Sequence, residues 1–185
     1  MSNHIGKLLI AHPGLPKKDF FHKSVIFVYQ DSKDGTLGLV LNKKLDVSVK
    51  EICYDRGTLW PDGITRCYSG GPLSRSSVIL VHTDDWTSAN TMHINKTGYC
   101  VSSDDFMFEK MSMGNQPAYW RMCLGISGWQ FGQLNLELDG KYPYKNENSW
   151  LTATPNDSIM FAHDGEEQWK KALEHSSHQM IDSYF

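Results

Sequence analysis

The chain lacks the features that would assign it at once to a special class of protein: a membrane-length apolar run, a block of basic residues, or closely spaced cysteines. No stretch approaches the roughly 20 apolar residues of a membrane-spanning helix. Met1-Ser2-Asn3-His4 leads directly into folded-looking sequence, without the basic and apolar segments of a signal peptide. We therefore expect a protein that is neither secreted nor inserted in a membrane, and we place it in the cytoplasm.

Positive charge is also scarce, since the net charge is -3 and basic residues occur only as isolated pairs such as Lys17-Lys18, Lys43-Lys44 and Lys170-Lys171. Proteins that bind phosphate backbones or anionic membranes usually carry a strong positive field. Solvated surface charge is the simpler interpretation of these pairs. The composition therefore argues against direct binding of nucleic acid.

The four cysteines, at positions 53, 67, 100 and 123, form no C-x-x-C pair and lack the spacing of zinc or redox sites. We expect free, mostly buried thiols. A chain of 185 residues can bury a substantial core without disulfides or metals. With no repeats and no linker-like stretch, residues 1–185 are predicted to form one domain.

Several segments are apolar on nearly every residue rather than on alternate ones, and this pattern favours strands that are covered on both faces. Residues 24–29 and 36–42 predict a hairpin, with Gly35 available for a turn position with positive φ. Further strands are predicted at 7–11, 66–69, 78–82, 99–102, 118–125 and 150–153. The sequence thus predicts an α+β fold in which helices pack outside a central sheet or barrel.

Helices are predicted at 47–54, after residue 103, and in a final segment that begins with Asp164 and Glu167 as caps. Residues 127–138 are ambiguous. Leu134, Leu136 and Leu138 alternate as in a strand, whereas Ser127 and Gln130 resemble a capping box and the apolar spacing also fits a helix. We interpret 127–138 as a helix.

Two glycine-rich motifs invite a catalytic or binding interpretation. Ser127 follows Gly125 as in a hydrolase nucleophile elbow, but G-x-S-x-G requires glycine where this chain has Trp129. A tight turn and helix cap is the favoured role for Ser127. Gly70-Gly71-Pro72 could present backbone N–H groups to an anion, yet the Lys-Ser/Thr of a P-loop is missing, so a structural turn is favoured.

Histidines and carboxylates show no converging set of ligands. His12, His82 and His163 follow or end predicted strands, and His175-x-x-His178 lies where the last helix is expected to fray. The acidic pair Asp84-Asp85 and the segment 103–105 are explained by caps and turns. No metal and no cofactor are expected, and the six tryptophans are expected to lie mainly in the core.

A set of short motifs occurs in a fixed order along the chain: His12-Pro13, Phe20 or Phe21 before Ser24-Val25, Gly38-Leu39-Val40-Leu41-Asn42, Gly70-Gly71-Pro72, Leu80-Val81-His82, Ser102-Ser103-Asp104, Leu124-Gly125-Ile126-Ser127-Gly128-Trp129, Gly132-Gln133-Leu134 and Glu147-Asn148-Ser149-Trp150-Leu151. In this order, from about Gly6 to Leu173, the motifs resemble those of the AlgH/YqgE family. Each motif is weak alone, and together they are specific.

The resemblance implies a mixed, partly barrel-like sheet with peripheral helices, and a role as a transcriptional regulator without a recognised DNA-binding motif or an established reaction. This chain departs from the family pattern at Lys43-Lys44, where members usually have Arg-Pro, so that turn is expected to be less rigid. It also carries extra residues at 139–146, which predict a longer surface loop.

Three functional hypotheses remain open at this point. The first, which we prefer, is a non-enzymatic regulatory module that acts through a protein partner, because no nucleophile and base or ligand set is visible. The second is an enzyme or small-ligand binder with its pocket at strand ends and turns, using Asn42, Gly70, Gly71, His82, Trp129 and Gln133. Direct DNA regulation, the third, would require a contiguous basic face.

Overall fold

The computed structural model describes residues 3–61, 63–141 and 149–185. Its strands in those ranges are β1 (Leu8–Ala11), β2 (Val25–Ser32), β3 (Gly35–Val40), β4 (Lys44–Ser48), β5 (Arg66–Ser69), β6 (Leu73–Thr83), β7 (Met92–His93), β8 (Tyr99–Ser102), β9 (Trp120–Trp129) and β10 (Trp150–Ala153). The helices are α1 (Val49–Asp55), α2 (Phe106–Ser112), α3 (Gln133–Leu138), α4 (Gly165–Asp182) and a π-helical turn (Ser158–Ala162).

The strands form one curled, half-barrel sheet in the order β10-β1-β2-β3-β9-β6-β8-β7. β5 lies off this path and pairs in parallel with β9 and antiparallel with β4, which makes the sheet mixed. Strand β9 pairs with β3 through its second half and with β5 and β6 through its first half. The predicted mixed α+β fold with a partly barrel-like sheet is confirmed, and β9 is its central strand.

Burial on both faces explains the continuous apolar pattern of β1 and β2. Leu8, Ile10 and Phe27 belong to one buried cluster, whereas Leu9 and Ile26 belong to another. Successive side chains of a strand point to opposite faces, so the two clusters lie on opposite sides of the sheet. The predicted hairpin is present, and Gly35 adopts a φ of 121° at its turn.

The turn between β5 and β6 packs directly on the backbone of β9. A Cβ at Gly71 would lie 2.1 Å from the carbonyl carbon of Ile126, and a Cβ at Gly70 would lie 2.3 Å from the carbonyl oxygen of Gly125. Gly70 also donates its N–H to Leu124 O and accepts a hydrogen bond from Val40 N. These glycines therefore serve the close approach of backbone segments, which is the structural role favoured from the sequence.

The helix predicted over 127–138 is wrong in its first half. β9 continues to Trp129, and α3 begins only at Gln133, after Gly132 with a φ of 78°. Ser127 caps no helix, because its buried hydroxyl donates to Gly70 O at 3.0 Å. The strand extends this far because β3 pairs with residues 127–129 along their whole length.

The last helix also differs from the prediction. α4 continues past His175 and His178 to Asp182, and His175 contacts Thr154 O at 3.0 Å through Nε2, so this part is not frayed. Asp164 occupies the N-cap position without a side-chain cap bond and forms an ion pair with Lys44 instead. The extra segment 139–146 lies outside the described residues from 142 onward.

Candidate functional site

Among the cavities of the described residues, one is lined by two of the six candidate residues, Trp129 and Gln133. Asn42 is a buried connector. Its Oδ1 accepts from Val25 N at 2.9 Å, and its Nδ2 donates to Lys23 O and Gly165 O at 2.8 and 2.9 Å. Since its amide groups are occupied in joining β2, the end of β3 and the start of α4, Asn42 fixes the fold.

His82 is fully buried in β6, away from any described cavity lining. Its Nε2 lies 2.9 Å from Ser102 Oγ, its Nδ1 lies 2.8 Å from Thr83 O, and its ring packs edge-on against Trp86. Burial lowers the pKa of His82, an effect partly opposed by the Thr83 carbonyl and the Asp85 carboxylate. His82 is therefore a satisfied core histidine, held neutral.

The cavity that contains Trp129 and Gln133 has a volume of about 270 Å³ and is called the tryptophan pocket below. It lies where the end of β9, the helix α3, the start of β10 and the loop before β2 meet. Its described lining consists of Leu15, Asp19, Phe21, Gly128, Trp129, Gln133, Glu137, Ser149 and Trp150. The cavity thus joins the loop at residues 15–21 to the segments 128–137 and 149–150, which come more than 100 residues later in the chain.

Glu137 organises this pocket. Its Oε2 accepts hydrogen bonds from the indole N–H groups of Trp129 at 3.0 Å and Trp150 at 2.8 Å, and its Oε1 accepts from Gln133 Nε2 at 2.8 Å. Gln133 and Glu137 are one helical turn apart on α3, which brings their side chains together. The side-chain oxygen of Gln133 accepts a hydrogen bond from Gln130 N at 2.9 Å and so stabilises the turn that leads into α3.

Three aromatic rings form the apolar wall. Phe21 stacks on Trp129 with ring centroids 6.1 Å apart and an interplanar angle of 19°, and it meets Trp150 edge-on at 5.5 Å. Trp129 and Trp150 are 5.9 Å apart and nearly perpendicular. Because each ring contacts the other two, the wall is held in place before any ligand arrives.

The charged lining of the pocket is acidic. Glu137 retains one of about four acceptor positions of a carboxylate, and Asp19 accepts one hydrogen bond, from Phe21 N at 2.8 Å. Lys43 lies outside the described lining, and its ammonium contacts Phe20 O and lies over the Phe20 ring. Burial lowers the pKa of Lys43, and the Asp19 carboxylate partly opposes that effect. The pocket is suited to a positively charged group.

Glu137 and Asp19 were not recognised from the sequence. The spacing of Gln133 and Glu137 on one helix face was a usable signal, but nothing local indicates that Trp150 returns to the same carboxylate. Within the described ranges, no group of three or more His, Cys, Asp or Glu side chains could hold a metal ion. In the same part of the chain, no helix has the length and apolar character needed to cross a membrane.

Comparison with known proteins gives one consistent family. The protein-family model described as DUF179, AlgH-like, matches residues 8–181. A UPF0301 protein of Methylococcus capsulatus is 30% identical over 173 residues, which cover 92% of this chain and 90% of the relative. Another UPF0301 protein, from Xanthomonas axonopodis pv. citri, is 32% identical over 171 residues, covering 90% and 85%.

Solved structures show the same fold. The solution structure of the AlgH protein from Pseudomonas aeruginosa superimposes with a TM-score of 0.75 at 23% identity, covering 95% of this chain and 90% of that one. A crystal structure of a protein from Corynebacterium diphtheriae gives a TM-score of 0.72 at 22% identity, with coverage of 94% and 87%. At these identities the likeness concerns the fold alone.

Proposed function

This chain belongs to the AlgH-like family, and from that premise we propose that it is a non-enzymatic regulatory module whose tryptophan pocket receives a cationic side chain of a partner protein. The observation that carries the proposal is the combination of two carboxylates and three fixed aromatic rings in a cavity whose described lining holds no cation. Aromatic faces attract cations, and more strongly in a partly desolvated site.

The size and shape of the pocket favour one side chain over a whole small molecule. Cavities that enclose drug-sized ligands span roughly 300–1,000 Å³, and this pocket has about 270 Å³. An arginine suits it better than a lysine. The planar guanidinium can stack on an indole while it donates to a carboxylate.

Asp19 is the carboxylate with capacity for the cation. One oxygen accepts from Phe21 N, whereas Glu137 already receives three hydrogen bonds. The partly exposed pocket edge also lets a partner surface approach. A partner arginine placed between Asp19 and the indole faces would therefore be recognised by both charge and shape.

The alternative function is the binding of a small cationic ligand in the same pocket, and such a ligand would also pair with the Asp19 carboxylate. Regulation by direct DNA contact receives no support from the net charge of -3.

The four described cysteines are free. Free thiols suit a reducing compartment, so the cytoplasm remains part of the proposal.

A titration of the full chain with N-acetyl-L-arginine amide tests the pocket, with the citrulline analogue as the uncharged control of equal shape. We expect saturable shifts of the indole N–H signals of Trp129 and Trp150, with a Kd on the order of millimolar. Citrulline should bind far more weakly. Equal binding of the two probes, or no shift at these indoles, would overturn the proposal.

Asp19→Asn separates charge from fold, because the amide oxygen can still accept from Phe21 N. We expect binding to weaken at least about fivefold, since a unit charge at 4 Å contributes about 1 kcal/mol even in bulk water. The matched control is Asp84→Asn, an exposed carboxylate beyond the opposite end of β9. An unchanged Kd in Asp19→Asn would contradict the assigned role of this carboxylate.

A further inference from the structure

A buried arginine near the beginning of β9 lies outside the tryptophan pocket. Arg121 is only 5% exposed, and its terminal nitrogens donate four hydrogen bonds, to Leu41 O at 2.5 Å, Gln168 Oε1 at 2.6 Å, Phe161 O at 3.1 Å and His163 O. Its guanidinium also lies over the Tyr68 ring, 4.4 Å from the centroid. Every one of these oxygens is neutral.

No carboxylate of the described residues lies within ion-pair distance of Arg121, although Asp164 is near enough to act on it electrostatically. A buried charge without a counter-ion is costly unless other groups stabilise it. The four neutral acceptors hold the guanidinium in position, but none of them carries a negative charge, and the nearby Asp164 is already in an ion pair with Lys44. The described part of the site therefore still lacks a negatively charged group within ion-pair distance of Arg121.

Arg121 lines a second cavity of about 300 Å³, called the basic cavity below. It is defined by Lys44, Arg66, Tyr68, Trp120, Arg121 and Phe161, and all three charged residues of its described lining are cations. Lys44 forms an ion pair with Asp164, and Arg66 forms one with the almost fully exposed Asp46 at 2.8 Å. With both pairs counted, one positive charge remains, that of Arg121.

All four side chains of the two ion pairs are more than a third exposed, and Asp46 is almost fully exposed, so both pairs are weak. An incoming anion can draw Lys44 and Arg66 toward itself at little cost. The basic cavity thus combines one fixed buried cation with two adjustable ones, an arrangement that suits an oxyanion with several acceptor oxygens.

Aromatic surface completes the cavity. Trp120 is partly exposed and is held edge-on against Trp60 at 5.9 Å. Phe161 stacks on Tyr119 with ring centroids 5.9 Å apart. Phe161 belongs to the π-helical turn that supplies an oxygen to Arg121, and such turns occur frequently at functional sites.

We propose that the basic cavity binds a small organic anion, in which a carboxylate or phosphate lies near Arg121, Lys44 and Arg66 and a planar ring packs against Trp120 and Phe161. At about 300 Å³ the cavity accommodates a one-ring ligand or the anionic end of a larger one. This site is distinct from the tryptophan pocket. Arg121 and Trp129 are eight residues apart on β9, on the order of 25 Å along an extended strand.

Calorimetric titration of the full chain at low ionic strength tests the site with three probes: benzoate, adenosine monophosphate and inorganic phosphate. Benzoate tests a carboxylate source, the nucleotide tests a phosphate source, and inorganic phosphate lacks the ring. We expect saturable binding of at least one ring-bearing probe, with inorganic phosphate weaker than the nucleotide. Absence of saturable binding for all three would overturn the proposal, and equal affinity of phosphate and nucleotide would refute the role of the ring.

Variants at the exposed cations keep the test independent of folding, because Arg121 itself supports the fold. Lys44→Gln and Arg66→Gln should each weaken binding about 3- to 10-fold, as expected for loss of one partly screened charge. Lys33→Gln, an exposed lysine in the hairpin turn near the other end of β9, is the matched control. If the control and the two variants bind equally, the anion does not occupy this cavity.

Asp164→Asn is expected to change the affinity for the anion in the opposite direction. The substitution removes the carboxylate that competes for Lys44 and acts on Arg121, so we expect anion affinity to rise several-fold, about 3- to 10-fold. A nonspecific loss of structure cannot produce tighter binding. Unchanged or weaker binding in this variant would contradict the proposed electrostatics.

Discussion

Replacing Glu137 by alanine is the substitution that most directly tests how the tryptophan pocket is built. The change leaves two partly buried indole N–H groups, those of Trp129 and Trp150, without their acceptor. An unsatisfied buried donor costs about 1–3 kcal/mol. Since these donors are only partly buried, the lower half of that range applies, and we expect Glu137→Ala to lower the free energy of unfolding by about 2–4 kcal/mol.

A double-mutant cycle distinguishes this effect from simple loss of packing. In a chain that carries Trp129→Phe and Trp150→Phe, each position keeps one six-membered aromatic ring but loses the indole N–H donor, so Glu137→Ala should cost about 1 kcal/mol or less. Urea unfolding followed by circular dichroism at 222 nm measures the costs, and Glu174→Ala, an exposed acid on α4, serves as control. If the cost of Glu137→Ala is the same in both backgrounds within about 0.5 kcal/mol, the stabilising role of the hydrogen bonds from Trp129 and Trp150 to Glu137 is refuted.

Three further predictions follow from backbone contacts, burial and thiol chemistry. Gly71→Ala should lower the free energy of unfolding in urea by more than about 3 kcal/mol, because the added Cβ would lie 2.1 Å from the carbonyl carbon of Ile126. Gly57→Ala, where the added Cβ meets open space, should lower it by about 1 kcal/mol, and equal losses in the two variants would contradict the close packing at Gly71. Burial lowers the pKa of His82, so as the pH falls below about 6.5 the imidazole binds a proton more readily in the unfolded chain than in the folded one, and the free energy of unfolding should fall. A His82→Gln variant should therefore show a smaller difference in urea midpoint between pH 7.5 and 5.5, and an identical difference would count against the burial effect. Burial raises the pKa of the four cysteine thiols to about 11 or 12, those of Cys53, Cys67, Cys100 and Cys123. Less than one equivalent of thiol should therefore react with Ellman's reagent at pH 8 in the native state, and all four should react in urea. Rapid labelling of the native protein would contradict this burial.

Most strands of the sheet are predictable from the sequence because their chemistry is local, whereas β4 and β7, which contain no buried residue, were not predicted. In β2 and β3 the apolar residues are continuous and the turn has Gly35 at the position that needs a positive φ. Ser127 was misassigned for the opposite reason. Its place in β9 depends on pairing with β3, about 90 residues earlier in the chain, and a window of neighbouring residues contains no trace of that contact.

The two cavities were harder to predict than the fold. Trp129 and Gln133 were named as candidates, but Glu137 gains its role only when Trp150 approaches from β10. For Arg121 the sequence does contain a local signal, a single charge inside an otherwise apolar predicted strand. Its burial against neutral oxygens depends on the π-helical turn and on α4, more than 35 residues away.

Photo-crosslinking in the source cell is the most direct test of the proposed function. A benzophenone amino acid replaces exposed Lys18, next to Asp19 at the edge of the tryptophan pocket, and the same probe at exposed Lys50 on α1 serves as control. We expect a defined partner whose crosslinked peptide contains an arginine, captured from position 18 and lost when Asp19→Asn is added. Capture that is equally strong with Asp19→Asn, or that is the same from position 50, would contradict the binding of a partner arginine in this pocket.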